Sequence, residues 1–181
     1  MSEHHILFAA PIDPPHMNNF AVLLNGLRAQ GVTKVTIAMN TPGGGTIPGI
    51  AAYNLMRAMP FKIVTHNIGN VDSIGNVLFL AGEERHACPV ATFMFHGVGI
   101  DSVPNERLEE KNLREKLDLV IADQTRISQL IASRTDLAVE DCMELFREQK
   151  TRSAEWAKER GFVTEVCDFT FPAGGNVHIF T

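Results

Sequence analysis

The chain has 181 residues, 45% of them hydrophobic and 20% charged, with a formal net charge of -5. That length holds one substantial core and favours a single domain over residues 1–181, and the composition is that of a soluble globular protein. The negative balance leaves no basic footprint for nucleic acid or an anionic membrane, and neither is expected as a partner.

The opening segment "MSEHHILFAAPIDPP" has no cationic stretch followed by a long apolar one, and no run approaches the roughly 20 apolar residues of a spanning helix. A cytoplasmic location is expected. "HILFAA" reads as a buried strand and "IDPPHMN" as the break after it. From about His16 to Gln30, Phe20, Leu23, Leu24 and Leu27 recur at helical spacing, with Gly31 placed to end the helix. "KVTIAMN" is a second strand and runs straight into "TPGGGT". "IPGIAAYNLMRAM" predicts a helix stopped by Pro60, "FKIVTHN" a third strand, residues 73–81 an apolar helix, and "ATFMF" at 91–95 a strand ending at His96. Strands alternating with helices predict a parallel sheet covered by helices. The glycine cluster and the segment around Ser73 then fall at the carboxyl ends of strands, where open α/β sheets hold ligands.

Residues 104–134 predict a long helix with Leu113, Leu117, Val120, Ile121, Gln124, Ile127, Leu130 and Ile131 along one side. About 30 residues span roughly 45 Å, more than one compact domain needs, so this helix is expected to project and pack against another subunit. A shorter helix follows from about Val139, and Ser153 and Gly161 bracket another. "FVTEV" and "NVHIFT" read as final strands. Cys88, Cys142 and Cys167 are widely spaced without a C-x-x-C pair and suggest neither a disulfide framework nor a zinc site. His4 and His5 form a terminal pair with no third ligand nearby. The expectation is no metal and no cofactor.

Ser73 carries the central question. The residue two before it is Val71, so the G-x-S-x-G elbow is only half present. What remains is a serine between strand and helix with the Ile74 N–H beside it, where a helix N-terminus favours an oxyanion. Gly43, Gly44 and Gly45 on the neighbouring strand end offer further N–H groups to an approaching substrate, and His96 is placed to act as general base. On these grounds alone a serine cap, a glycine turn and a hydrogen-bonding histidine explain the residues equally. Asp72 is read as a helix N-terminal anion and His66 as structural; Trp156, Tyr53 and the methionines as packing.

"MNTPGGGTIPGIAAYNLM", "IGNVDSIGNVLFLAGEERHACPVATFMFHG" and "TRSAEWAKERGFVTEV" resemble, in that order, three diagnostic segments of the ClpP family of serine peptidases, over residues 35–166. The resemblance implies an α/β fold of the ClpP/crotonase type, a spiral of β-β-α units with the long helix as a projecting handle between stacked rings of a homo-oligomer. It implies a serine-type endopeptidase, with Ser73 as nucleophile, His96 as base, Gly44 and Ile74 as oxyanion-hole amides, and Gly43, Gly45 and Thr46 beside the substrate. Crotonases such as enoyl-CoA hydratases share the fold and the backbone oxyanion hole but act on acyl-CoA thioesters.

The chain departs from the pattern in three places. The acid that orients the histidine stands four residues before the serine of "SA", which is Gln149 here; Glu148 and Asp101 are the acids near enough in sequence to substitute. The segment before the first strand is short, so peptides or unfolded protein segments are expected substrates in preference to proteins delivered by a Clp-type ATPase. "CDFTFPAGGNVHIFT" (about 168–181) extends past the usual last strand, as an extra edge strand or a subunit contact. A catalytically impaired ClpP-like scaffold or regulatory subunit is the alternative to a peptidase, and a crotonase-like acyl-CoA enzyme the third reading.

Overall fold

The computed structural model describes residues 2–101 and 107–181; the first residues of the expected long helix, 104–106, lie outside them. The elements in order are β1 (Glu3–Phe8), α1 (Pro14–Ala29), β2 (Lys34–Thr41), α2 (Thr46–Arg57), β3 (Lys62–Asp72), α3 (Gly75–Phe79), β4 (Glu84–Ala87), β5 (Thr92–Met94), α4 (Glu110–Arg134), α5 (Val139–Glu148), β6 (Thr151–Ser153), α6 (Ala154–Glu159), β7 (Glu165–Val166) and β8 (Asn176–Phe180). They form a mixed α/β structure of sheet and helices, consistent with the ClpP fold. The strands run in the order β6-β5-β3-β2-β1-β8, with β4 on β3 and β7 on β4. Only β5 and β6 pair antiparallel among the described residues.

Helix α1 starts two residues before its expected position because Pro14 and Pro15 occupy its first turn, where a missing N–H costs nothing. The Asp13 carboxylate accepts from the His16 N–H at 3.0 Å. Met17, Phe20, Leu24 and Leu27 are its buried stripe, packed with Phe8 and Phe180. His4 and His5 are both buried in β1, not a loose terminal pair; His4 stacks on His178 of β8. The C-terminal segment therefore supplies an edge strand, parallel to β1.

β3 decides where the site falls. Its sequence "HNIGNVD" reads as the end of a strand, yet the strand continues to Asp72, 11 residues in all. Beside Gly69 and Asn70 the β2–β3 register shifts, and side chains substitute for the missing ladder: Asn67 Oδ1 accepts from the Gly69 N–H and Asn40 Oδ1 from the Asn70 N–H, each at 3.0 Å. β3 also forks the sheet. Its residues 64–67 pair with β4 and its residues 70–72 with β5.

The helix expected over 73–81 shrinks to the five residues of α3, and β4 and β6 appear where no strand is legible. "ERHA" and "TRS" lack apolar alternation and are strands only because β3 and β5 give them a ladder. Arg85 of β4 is buried and its guanidinium donates to the carbonyls of Gly82, Arg134, Gly161 and Phe162, pinning the loop after α6 to the sheet. α4 is roughly 37 Å long at 1.5 Å per residue. Only Ile127, Ser128 and Ile131 on it are buried, whereas Leu113, Leu117 and Ile121, spaced four apart on one face, are half or more exposed, an apolar stripe beyond the body of the chain; exposed Leu119 lies on the other side.

Candidate active site

Ser73 sits on the turn between β3 and α3 with φ 58, in the left-handed region that a residue with a Cβ seldom adopts. It is therefore not the helix N-cap; that position belongs to Ile74. The turn is held by one acceptor. The Met94 carbonyl, at the end of β5, accepts from the Ser73 N–H at 2.9 Å and from Asn76 Nδ2 at 2.7 Å. Asn76 is a site residue that sequence reasoning missed; its signal was a lone amide in an apolar helix, three residues after the serine.

The glycine turn is pressed against this serine. Gly43 has φ 81, and a Cβ built on it would stand 2.7 Å from Ser73 Cβ, so backbone conformation and space both require glycine there. The turn's amides are unequally occupied. Gly43 N–H donates to Thr41 Oγ1 at 3.2 Å and Gly45 N–H to the Ile12 carbonyl at 2.7 Å, while the Ile12 N–H holds the Gly43 carbonyl at 2.8 Å. Among the described residues, the N–H groups of Gly44 and Ile74 have no backbone acceptor. Both border a cleft of about 540 Å³ whose lining includes Gly45, Thr46, Ser73, His96 and Asp101.

His96 lies just past β5 and its Nδ1 is 2.8 Å from the Gly97 carbonyl. A carbonyl only accepts, so Nδ1 carries the hydrogen and Nε2 of the neutral ring keeps its lone pair. No hydrogen bond joins Ser73 Oγ to His96 among the described residues. The antiparallel pairing of β5 and β6 runs on through Phe95 N–H to the Lys150 carbonyl at 3.3 Å, so the next position sets Gln149 opposite His96. Among the described residues no hydrogen bond joins the two side chains. Gln149, in the left-handed C-cap of α5 (φ 51), lines a separate depression with Gly97, Val98 and Gln124. Glu148 is paired with Arg152 and, at 3.2 Å, with Lys150. Of the residues weighed as partners for the histidine, Asp101 alone shares its cleft among the described residues.

Asp72 departs from its expected role as a helix anion. It ends β3, and its Oδ1 is buried without a hydrogen-bond partner. Burial pushes its carboxyl above the ordinary carboxylate value, opposed by the Met94 backbone, the Asn70 side chain and the nearby His96.

The sequence matches the Clp protease family profile over residues 1–170. It is 28% identical over 173 residues to "ATP-dependent Clp protease proteolytic subunit 1" of Corynebacterium jeikeium, covering 92% of this chain and 88% of that protein. It is 31% identical over 136 residues to "ATP-dependent Clp protease proteolytic subunit 2" of Tropheryma whipplei, covering 73% and 72%. To the subunit 2 protein of Corynebacterium glutamicum it is 27% identical over 173 residues, covering 92% and 82%. No helix among the described residues is long and apolar enough to cross a membrane.

Proposed function

The chain belongs to the Clp protease family, and from that premise we propose that it is a serine-type endopeptidase working through Ser73 and His96. The observation that carries the reading is the pair of unengaged amides, Gly44 and Ile74, beside a serine held at positive φ in one cleft with a histidine. Ser73 Oγ attacks the peptide carbonyl while His96 Nε2 takes its proton. The Gly44 and Ile74 N–H groups receive the oxyanion where negative charge develops, and His96 returns the proton to the leaving amine before water cleaves the ester. Gly45 and Thr46 form the wall along which an extended peptide lies, and Gly43, packed against Asp72 and Ser73, holds that turn beside the substrate.

His96 needs its reactive nitrogen free and its ring oriented. In this reading the Gly97 carbonyl selects the tautomer, the role that the acid performs elsewhere, while Gln149 stands opposite as the neutral residue of that position. The carbonyl stabilises the imidazolium less than a carboxylate does, so turnover is slow relative to an acid-containing triad. The unpartnered apolar stripe of α4 supports assembly of this chain into homo-oligomeric rings through that helix. Peptides or unfolded protein segments are the substrates proposed, in preference to proteins delivered by a Clp-type ATPase.

Labelling the purified oligomer with a fluorophosphonate probe and weighing the intact chain tests the reading. One adduct per chain, absent in Ser73→Ala and His96→Ala, is the expected result. A folded oligomer that takes no adduct would sink the peptidase in favour of the scaffold.

A further inference from the structure

On the first half of β3, away from the cleft, three side chains of metal-binding type converge. His66 of β3 and His86 of β4 are direct partners in the parallel ladder, and His86 is in turn the partner of Glu165 in β7. The ladder's next pair is Ala87 with Val166, so Cys88 and Cys167 follow as neighbours just beyond it. Side chains alternate along a strand, which puts Cys88 on the face that carries His86. A donor atom from each of His66, His86 and Cys167 lies within 4.8 Å of the other two. Cys88 Sγ is 3.6 Å from His66 Nε2.

We propose that His66, His86 and Cys167 bind a divalent metal of the zinc class, with Cys88 as the nearest fourth donor. Two imidazoles and thiolates are the donor set that zinc favours, and ligand atoms on a tetrahedral zinc ion stand about 3.3–3.8 Å apart. Cys88 and His66 already have that separation; His86 and Cys167 close the remainder by side-chain rotation. Binding takes the thiol protons of Cys167 and, where it ligates, Cys88, both released to solvent; His66 gives up the 3.2 Å hydrogen bond from Nε2 to the Cys167 carbonyl, its ring hydrogen passing to Nδ1 through solvent so that the Nε2 lone pair meets the ion.

The surroundings suit a cation that has lost its water. His66 is 3% exposed, while His86, Cys88 and Cys167 are half-buried, and His66, His86 and Cys167 line a depression of about 210 Å³. Asp168 and Glu165 act on His66 and Cys167, and Glu84 on His86, an acidic outer shell. The nearby lysines are neutralised: Lys34 pairs with Glu3 at 2.8 Å and Lys62 with Glu84.

The site has a structural use. Cys167 opens "CDFTF", whose Phe169 packs edge-on to His66 at 5.1 Å and Phe171 to His5 at 6.1 Å. An ion there clasps this C-terminal segment to β3 and β4 ahead of its return as β8. Sequence spacing gave an expectation of no metal, because residues 66, 86 and 167 become neighbours only through the sheet.

The test uses the full chain, reduced and stripped with a chelator, then titrated with Zn(II) and with Co(II) as the spectroscopic probe. One equivalent per chain is expected, with thiolate-to-cobalt charge-transfer absorption and protection of Cys167 from alkylation by iodoacetamide. Cys167→Ser abolishes the charge-transfer contribution of that thiolate, and His86→Gln weakens binding by at least about 100-fold, the upper end of what outer-shell losses cost. Alkylation protection is read on the unmutated chain, so it stands even if a variant fails to fold. No stoichiometric uptake, uptake unchanged in both variants, or a Cys88–Cys167 disulfide whose reduced form takes no metal would each overturn the proposal.

Discussion

The two halves of β3 build two different kinds of site. The half paired with β5 ends in a strained turn: Ser73 at φ 58, amides left open, and one carbonyl, that of Met94, accepting two donors. The half paired with β4 ends in side chains instead, with His66 and His86 laid side by side by the ladder and Cys167 brought in by the segment after β7. One arrangement leaves backbone N–H groups without a backbone acceptor at a cleft, which the proposed function gives to a reacting carbonyl; the other gathers imidazole and thiol donors around a point. A single strand serves both because the register shift near Asn40 separates them into different pairing partners.

The comparison breaks first at the serine. Ser73→Ala is expected to reduce peptide hydrolysis by on the order of 10⁴–10⁶-fold, as loss of a nucleophile does in serine proteases, while metal uptake at the other half stays at one equivalent. Peptide turnover and metal titration on the same preparation check both. Gly43→Ala comes next: the added methyl meets Ser73 Cβ and is forced to φ 81, so we expect slower fluorophosphonate labelling and a stability loss of about 1–3 kcal/mol by denaturant titration.

Gln149→Gly sharpens the role of the residue opposite His96. Glycine relieves the left-handed C-cap and is expected to stabilise the chain by about 1 kcal/mol with the labelling rate unchanged. A collapse of labelling would mean that the Gln149 side chain orients the histidine after all.

The smallest effect concerns Asp72. Its folded carboxyl is held above the ordinary 3.8, so ionisation is disfavoured in the folded chain and costs stability as pH rises through that range. Asp72→Asn is expected to raise Tm at pH 7 by a few degrees, and the gain to vanish below the unfolded value, where both states are protonated. A Tm difference independent of pH would show that the burial of Asp72 is not what sets it.

Several features were written locally and could be read from the sequence. The stripe of α1, the glycine turn, the Ser153 cap accepting from Trp156 N–H at 3.2 Å, and the order of strands and helices depend on neighbours a few residues apart. Gly44 and His96 were legible as candidates because each follows a readable strand, and Ser73 because it stands at the start of an apolar run that reads as helix. β4 and β6 were not, nor was the continuation of β3, because short polar strands draw their hydrogen bonds from distant partners.

By itself the sequence determined the family, the α/β alternation and which residues stand at strand ends, since those follow from side-chain periodicity and short-range backbone preference. Only the tertiary structure decided that Ser73 leaves the helix it was expected to cap, that His96 turns its Nδ1–H to Gly97, that Asp72 has one buried carboxyl oxygen, and that His66, His86 and Cys167 meet. Those outcomes depend on the register between strands 20 to 100 residues apart in the chain, and register is set by the summed packing of the whole sheet, not by any local run of residues.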